Sequence, residues 1–122
     1  MPRGPTKPLG DRGEELAVAH LAAAGWVVLH RNFRLGRREI DLVARRGEVV
    51  AFVEVKTRAG LGYGHPLEAV TLKKRREIQQ VALAWVDRHG REGDTYRFDA
   101  VSVLVAGGGP PVVEHVEDAW RL

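Results

Sequence analysis

Apolar positions recur at helical spacing through "GDRGEELAVAHLAAAG", residues 10–25, where Ala17, Val18 and Leu21 fall on one stripe. Asp11 is the expected N-cap, Glu14 follows three residues later as in a capping box, and Gly25 is the expected stop. At ~100° per residue Glu14 shares the core-facing stripe, whereas Glu15 points about a quarter turn away. "WVVLHRNFR" is rich in β-branched and aromatic residues and predicts a first strand. "EIDLVAR" and "VVAFVEVKTR" follow as a hairpin turning around Arg46 and Gly47. The glycine-rich "AGLGYGHP" predicts a loop. A second helix, "TLKKRREIQQVALAWVDRHG", starts at a Thr71 cap, buries Ile78, Val81, Ala82, Trp85 and Val86, and stops at Gly90. "YRFDAVSVLVA" and "VVEHVEDAW" close the chain as strands on either side of a "GGGPP" turn. The order α-β-β-β-α-β-β predicts an α/β domain, a mixed β-sheet flanked by helices. Residues 1–9, with three prolines, read as a flexible lead, and residues 10–122 as a single domain.

The hairpin breaks the apolar pattern in one respect. Glu39, Asp41, Glu54 and Lys56 interrupt strands that otherwise want burial. Because side chains alternate, Phe52, Glu54 and Lys56 share one face, and Glu39, Asp41 and Val43 share a face of the partner strand. An even connecting loop brings Asp41 and Glu54 to the same side, directly opposed or diagonal according to its length. Opposed carboxylates ~5 Å apart repel by about 3 kcal/mol at an effective dielectric of about 20. Lys56 supplies one positive charge, too little for Asp41, Glu54 and a third acid from Glu39 or Glu14. Such an excess of hard oxygen donors suits a divalent cation such as Mg2+. The competing expectation is a half-exposed hairpin whose acids and lysine face water. On the cation reading, Asp41 and Glu54 hold the ion, and Lys56 orients or deprotonates a water or contacts a phosphate. Glu14 then completes the site or holds a second ion.

Composition narrows the function classes. The chain of 122 residues has a net charge of +3, and 15 of its 19 basic residues are arginines. They cluster at residues 31–38, at Arg45 and Arg46, and at Lys73, Lys74, Arg75 and Arg76. Clustered Arg and Lys can neutralise phosphates, which makes nucleic acid a candidate partner with Arg58, Lys74 and Arg76 as backbone clamps. The competing reading is an arginine-rich composition spread over solvated helix faces. Cysteine is absent, which excludes a disulfide framework and a thiolate metal site. No apolar run approaches the ~20 residues of a membrane span, and the N-terminus lacks a secretory h-region. A soluble, cytoplasmic protein is the expectation.

"EID" followed by "FVEVKTR" resembles the D…E-x-K core of the PD-(D/E)XK nuclease superfamily, in its Holliday-junction-resolvase-like branch. The blocks "GDRGEELA", "REIDLV", "FVEVKTR", "AVTLKKRREI", "RFDAV" and "EHVEDAW", in that order, resemble the bacterial YraN family of uncharacterised proteins. The resemblance implies a restriction-endonuclease-like fold and a nuclease dependent on Mg2+ or Mn2+. It implies Asp41 and Glu54 as metal ligands and Lys56 as the catalytic lysine. Glu14 matches the acid of the first helix, Glu39 the acid of a G-E-I-D block, and Lys74 the lysine of the second helix. Arg38 stands where that block has glycine, which bears on turn geometry or substrate preference. The implied substrate is DNA, and symmetric cutting of two strands would require a homodimer. The alternative is a non-catalytic nucleic-acid-binding protein that retains the nuclease fold.

Other residues carry weaker signals. The five histidines, His20, His30, His65, His89 and His115, form no i,i+4 pair and are expected in surface or structural roles. Ser102, the only serine, sits in a Val-rich strand. Trp26, Trp85 and Trp120 are expected as core anchors. Asp99 is expected to pair with Arg97 or a loop.

Overall fold

The computed structural model describes residues 7–59, 70–105 and 109–121. Helix α1 (Lys7–Ala23) leads into the strands β1 (Val27–Leu35), β2 (Arg38–Arg46) and β3 (Val49–Ala59). Helix α2 (Leu72–His89) and the strands β4 (Thr95–Val105) and β5 (Val112–Trp120) follow. The sheet runs β1-β2-β3-β4-β5, and only β3 and β4 are parallel. A parallel pair cannot be closed by a tight turn, so α2 belongs to the crossover between them. The mixed sheet flanked by helices, in the order α-β-β-β-α-β-β, is the architecture expected from the sequence.

Strand parity explains how two helices cover one sheet. Leu42, Ala44, Ala51, Val53, Val101 and Val103 pack with Ala17, Leu21 and Trp26 on the α1 side. Val43, Val50 and Phe52 pack with Ile78, Val81 and Trp85 on the α2 side. With both faces covered, β3 is buried along most of its length. All three tryptophans are buried, as expected of core anchors.

The helix ends follow local chemistry. Thr71 caps α2 by accepting from the Lys74 N–H at 3.2 Å, and Gly90 ends it. Gly25 has φ +89°, and Gly25 N and Trp26 N bond back to Ala22 O and Leu21 O at 3.1 and 3.0 Å, a Schellman ending. Asp11 is not the N-cap, because α1 starts at Lys7 and Asp11 lies within it. Residues 7–9, expected in the flexible lead, are therefore helical; residues 1–6 lie outside the described residues. The "GLGYG" loop and His65 also lie outside them.

One close approach fixes α1 on the sheet. A Cβ at Gly13 would stand 1.9 Å from Thr57 Oγ1 and 2.8 Å from Thr57 Cβ. Helix propensity favours alanine over glycine by about 1 kcal/mol, yet this clash with a buried residue of β3 dominates. Gly13→Ala is expected to destabilise the protein by about 1–3 kcal/mol, the usual cost of overpacking. Urea unfolding checks it, and a gain in stability would mean that α1 is not held this close to β3.

Candidate active site

The site forms where β2 and β3 part. A two-residue turn at Gly47 and Glu48, with Gly47 at φ +62°, sets the pairing Arg46↔Val49. The ladder runs to Leu42↔Val53 and would next place Asp41 opposite Glu54. At that point the Val55 N–H donates to Asp41 Oδ2 at 2.7 Å. The carboxylate of Asp41 thus inserts beside β3, near enough for its charge to act on Glu54.

Their environment is not that of a solvated hairpin. Glu54 is only 5% exposed, and its buried Oε2 has no hydrogen-bond partner among the described residues. Lys56 Nζ lies 3.8 Å from Glu54 Oε1, near enough to attract and too far to bond. Burial raises the Glu54 carboxyl to about 7, helped by the charge of Asp41 and opposed by Lys74 and Lys56. Burial likewise raises Asp41 to about 6, with Glu14 and Glu39 adding to the effect and the Val55 N–H and Lys74 opposing it. Burial and neighbouring acids make both carboxyls harder to ionise, which is the electrostatic condition a divalent cation relieves.

A cleft of about 900 Å³ opens beside the pair. Asp41 and Lys56 line it, with Glu14, Glu39, Asn32 and Asp11, while Glu54 is buried and not part of its lining. Lys7, Arg34 and Arg58 give the cleft its remaining positive charges. Lys7 is an isolated cation in the sequence and Arg34 one of the arginines clustered at residues 31–38, and only folding brings both beside Arg58.

The remaining expected site residues divide. Glu39 pairs in charge with Arg34 at 3.2 Å, although its Oε2 makes no hydrogen bond. Glu14 reaches the cleft, but its Oε1 receives Arg31 Nε and Nη2, both at 3.3 Å, and its Oε2 receives Asn32 Nδ2 at 3.4 Å. Among the described residues no three His, Asp or Glu side chains are grouped to hold a metal ion. The donor set nevertheless fits Mg2+, which is commonly bound through one or two carboxylates, keeps several waters and takes phosphate oxygens. The unpartnered Glu54 Oε2 is the buried acceptor such an ion would satisfy.

The basic start of α2 is not uniform either. Lys73 and Arg76 are exposed, and the charge of Lys74 acts on both Asp41 and Glu54. Arg75 instead donates to Val70 O at 3.0 Å and lies over the Trp120 ring at 5.8 Å, so it serves the fold.

The model of the uncharacterised protein family UPF0102 matches residues 13–103. A UPF0102 protein of Rhodococcus jostii is 46% identical over 112 residues, covering 92% of this chain and 95% of that one. Another, from Geobacter sulfurreducens, is 44% identical over 116 residues, with 95% and 91% covered. The chain belongs to UPF0102. This is the YraN family that the sequence blocks resemble. Among solved structures the chain is similar to Archaeoglobus fulgidus Hjc, a Holliday junction resolvase from an archaeal hyperthermophile. The identity is 19%, the TM-score 0.47, and the coverage 86% of this chain and 75% of that one.

Within this UPF0102 chain the position of Arg38 has a local explanation. The β1–β2 turn is made by Gly36, at φ +62°, and Arg37, so no glycine is needed at residue 38. Arg38 pairs with Leu35 across the hairpin, and its guanidinium donates to Gln80 of α2. Asp99 is fully buried and accepts from Arg97, at 2.9 and 3.1 Å, and from the Asp118 N–H at 3.0 Å, with His115 Nε2 at 2.7 Å. These bonds hold β5 against β4 where the register shifts, which is a structural role. His30 accepts from Trp85 Nε1 at 2.8 Å, also a structural bond.

Proposed function

We propose that this UPF0102 chain is a Mg2+- or Mn2+-dependent nuclease that hydrolyses DNA phosphodiester bonds, with branched or processed DNA as its substrate, in the bacterial cytoplasm. The observation that carries the reading is the pairing of the half-buried Asp41 with the buried Glu54 and its unpartnered oxygen, set beside Lys56 at a cleft holding further cations. A site for nucleic acid alone has no use for two acids set next to phosphate, one of them buried. Asp41 and Glu54 would hold the ion, which when bound supplies Lewis acidity to a phosphoryl oxygen and lowers the pKa of water. Lys56 faces the cleft and can donate to the phosphate or move a proton at the attacking water. Arg58, Arg34 and Lys7 hold the DNA backbone along the cleft, and Lys73 and Arg76 extend the contact from α2. Lys74 favours the ionised form of both acids. A second copy of the chain would supply the second site for symmetric cutting. Among the described residues no helix is long and apolar enough to cross a membrane.

A non-catalytic nucleic-acid-binding protein of the same fold is the second reading, favoured by the engagement of Glu14 with Arg31 and Asn32. Incubation with branched, duplex and single-stranded DNA in Mg2+, Mn2+ or EDTA separates the two. Cleavage in either metal and none in EDTA is expected. Binding to DNA without cleavage in any metal would select the second reading.

A further inference from the structure

We infer that Arg31 is a substrate-operated latch: without nucleic acid it holds the Glu14 carboxylate, and an incoming phosphodiester takes over its guanidinium and frees Glu14 for the cation site. The inference rests on the nuclease reading and adds an order of events to it. Arg31 pairs with Leu42, whose side chain faces α1, so the guanidinium meets the first half of that helix. It bridges two acids unequally. Its Nη2 lies 2.6 Å from Glu15 Oε1, while both contacts to Glu14 are 3.3 Å. Asn32 adds a third long contact to Glu14, at 3.4 Å, from a left-handed backbone with φ +53° that asparagine tolerates better than most residues.

The grip on Glu14 is therefore loose at every point, and Glu15 keeps Arg31 anchored when that grip is lost. The Arg31 side chain is 40% exposed, so a phosphate can reach it. A guanidinium edge matches two phosphate oxygens as well as it matches a carboxylate. Glu14 already lines the cleft, and its charge already acts on Asp41. Once released, it adds a carboxylate to the site at the moment a phosphate arrives. Cation and nucleic acid then bind cooperatively, and each raises the affinity of the other by the same factor.

Calorimetric titration of Ca2+, a hard oxygen-binding cation, with and without a phosphorothioate-linked DNA duplex tests the latch. Duplex should tighten Ca2+ binding to the wild-type protein by about fivefold or more. Arg31→Gln changes an exposed side chain and leaves the core untouched. It should bind Ca2+ alone about fivefold more tightly than wild type, and the duplex should then add correspondingly less. Arg34→Gln, which removes a cleft cation paired with Glu39, is the control. Equal changes in both variants would overturn the latch, because loss of any positive charge would then suffice. Unchanged Ca2+ affinity and unchanged coupling in Arg31→Gln would overturn it too. Wild-type protein that binds neither Ca2+ nor DNA would instead remove the nuclease reading, and the latch with it.

Discussion

Glu54→Gln is expected to abolish metal-dependent cleavage and, in the same variant, to stabilise the metal-free protein at pH 8. The two effects have one origin. Glu54 is buried with an unpartnered oxygen, and its carboxyl is raised to about 7 by burial and by Asp41. In the unfolded chain a glutamate ionises near its ordinary value of about 4.3. Between those values the folded state holds a proton that the unfolded state has lost. Stability from this group is thus fully present below about pH 4 and is lost as pH rises through about 7. At ~1.4 kcal/mol per pKa unit the loss is on the order of 3 kcal/mol by pH 8. Glutamine is neutral at every pH and of similar shape, so it keeps the stability that the acid loses. Urea unfolding in EDTA should give nearly equal midpoints for wild type and variant at pH 4.5, with the variant higher at pH 8. Mg2+ should raise the wild-type midpoint at pH 8 by mass action and leave the variant's nearly unchanged. A variant that is no more stable at pH 8 would mean that Glu54 is not buried as a reluctant anion. Cleavage at the wild-type rate would remove it from the site.

The central hairpin was the most legible part of the chain, because two-residue periodicity on both strands and an even turn put Asp41 and Glu54 on one side of the sheet. Only the turn itself, at Gly47 and Glu48 rather than around Arg46 and Gly47, decides between opposed and diagonal. The second helix was equally legible, since Thr71 and Gly90 mark both of its ends. Less legible was anything that depends on which elements are neighbours in space. Asp11 has the chemistry of an N-cap, but α1 begins earlier, and no local signal reveals the preceding turn. Arg75 belongs by sequence to a basic run, yet helical rotation turns it to Val70 and Trp120 while the charge of Lys74 acts on the acids. Glu14 was placed correctly on the sheet-facing side of α1. Its partners Arg31 and Asn32 come from β1, and a left-handed residue inside a strand leaves no mark in a hydrophobic pattern. The closeness of Gly13 to Thr57 belongs to the same class, because a helix–sheet distance is set by the whole interface.

Lys56→Ala is expected to lower cleavage by about a hundredfold or more at saturating Mg2+, the usual cost of losing an aimed charge at a reacting phosphate. Folding stability should stay within ~1 kcal/mol of wild type, since its ion pair with Glu54 spans 3.8 Å and the lysine is about one-third exposed. The alternative is that Lys56 only balances the charge of the acids, and Lys74 provides the comparison that decides. Lys74 opposes the protonation of both Asp41 and Glu54, and on Glu54 its effect is larger than that of Lys56. If charge balance were the whole role, Lys74→Ala would harm cleavage at least as much as Lys56→Ala. If Lys56 acts on the phosphate or the attacking water, its loss is the more damaging by a wide margin. Raising the pH should then separate the variants further. Removing Lys74 leaves acids that are merely harder to ionise, so its cleavage should recover toward wild type above pH 8. Removing Lys56 deletes a donor that no pH restores. Single-turnover cleavage from pH 6.5 to 9, beside calorimetric Mg2+ titration of each variant, makes the comparison. Two variants with the same defect and the same recovery would return Lys56 to an ordinary ion pair.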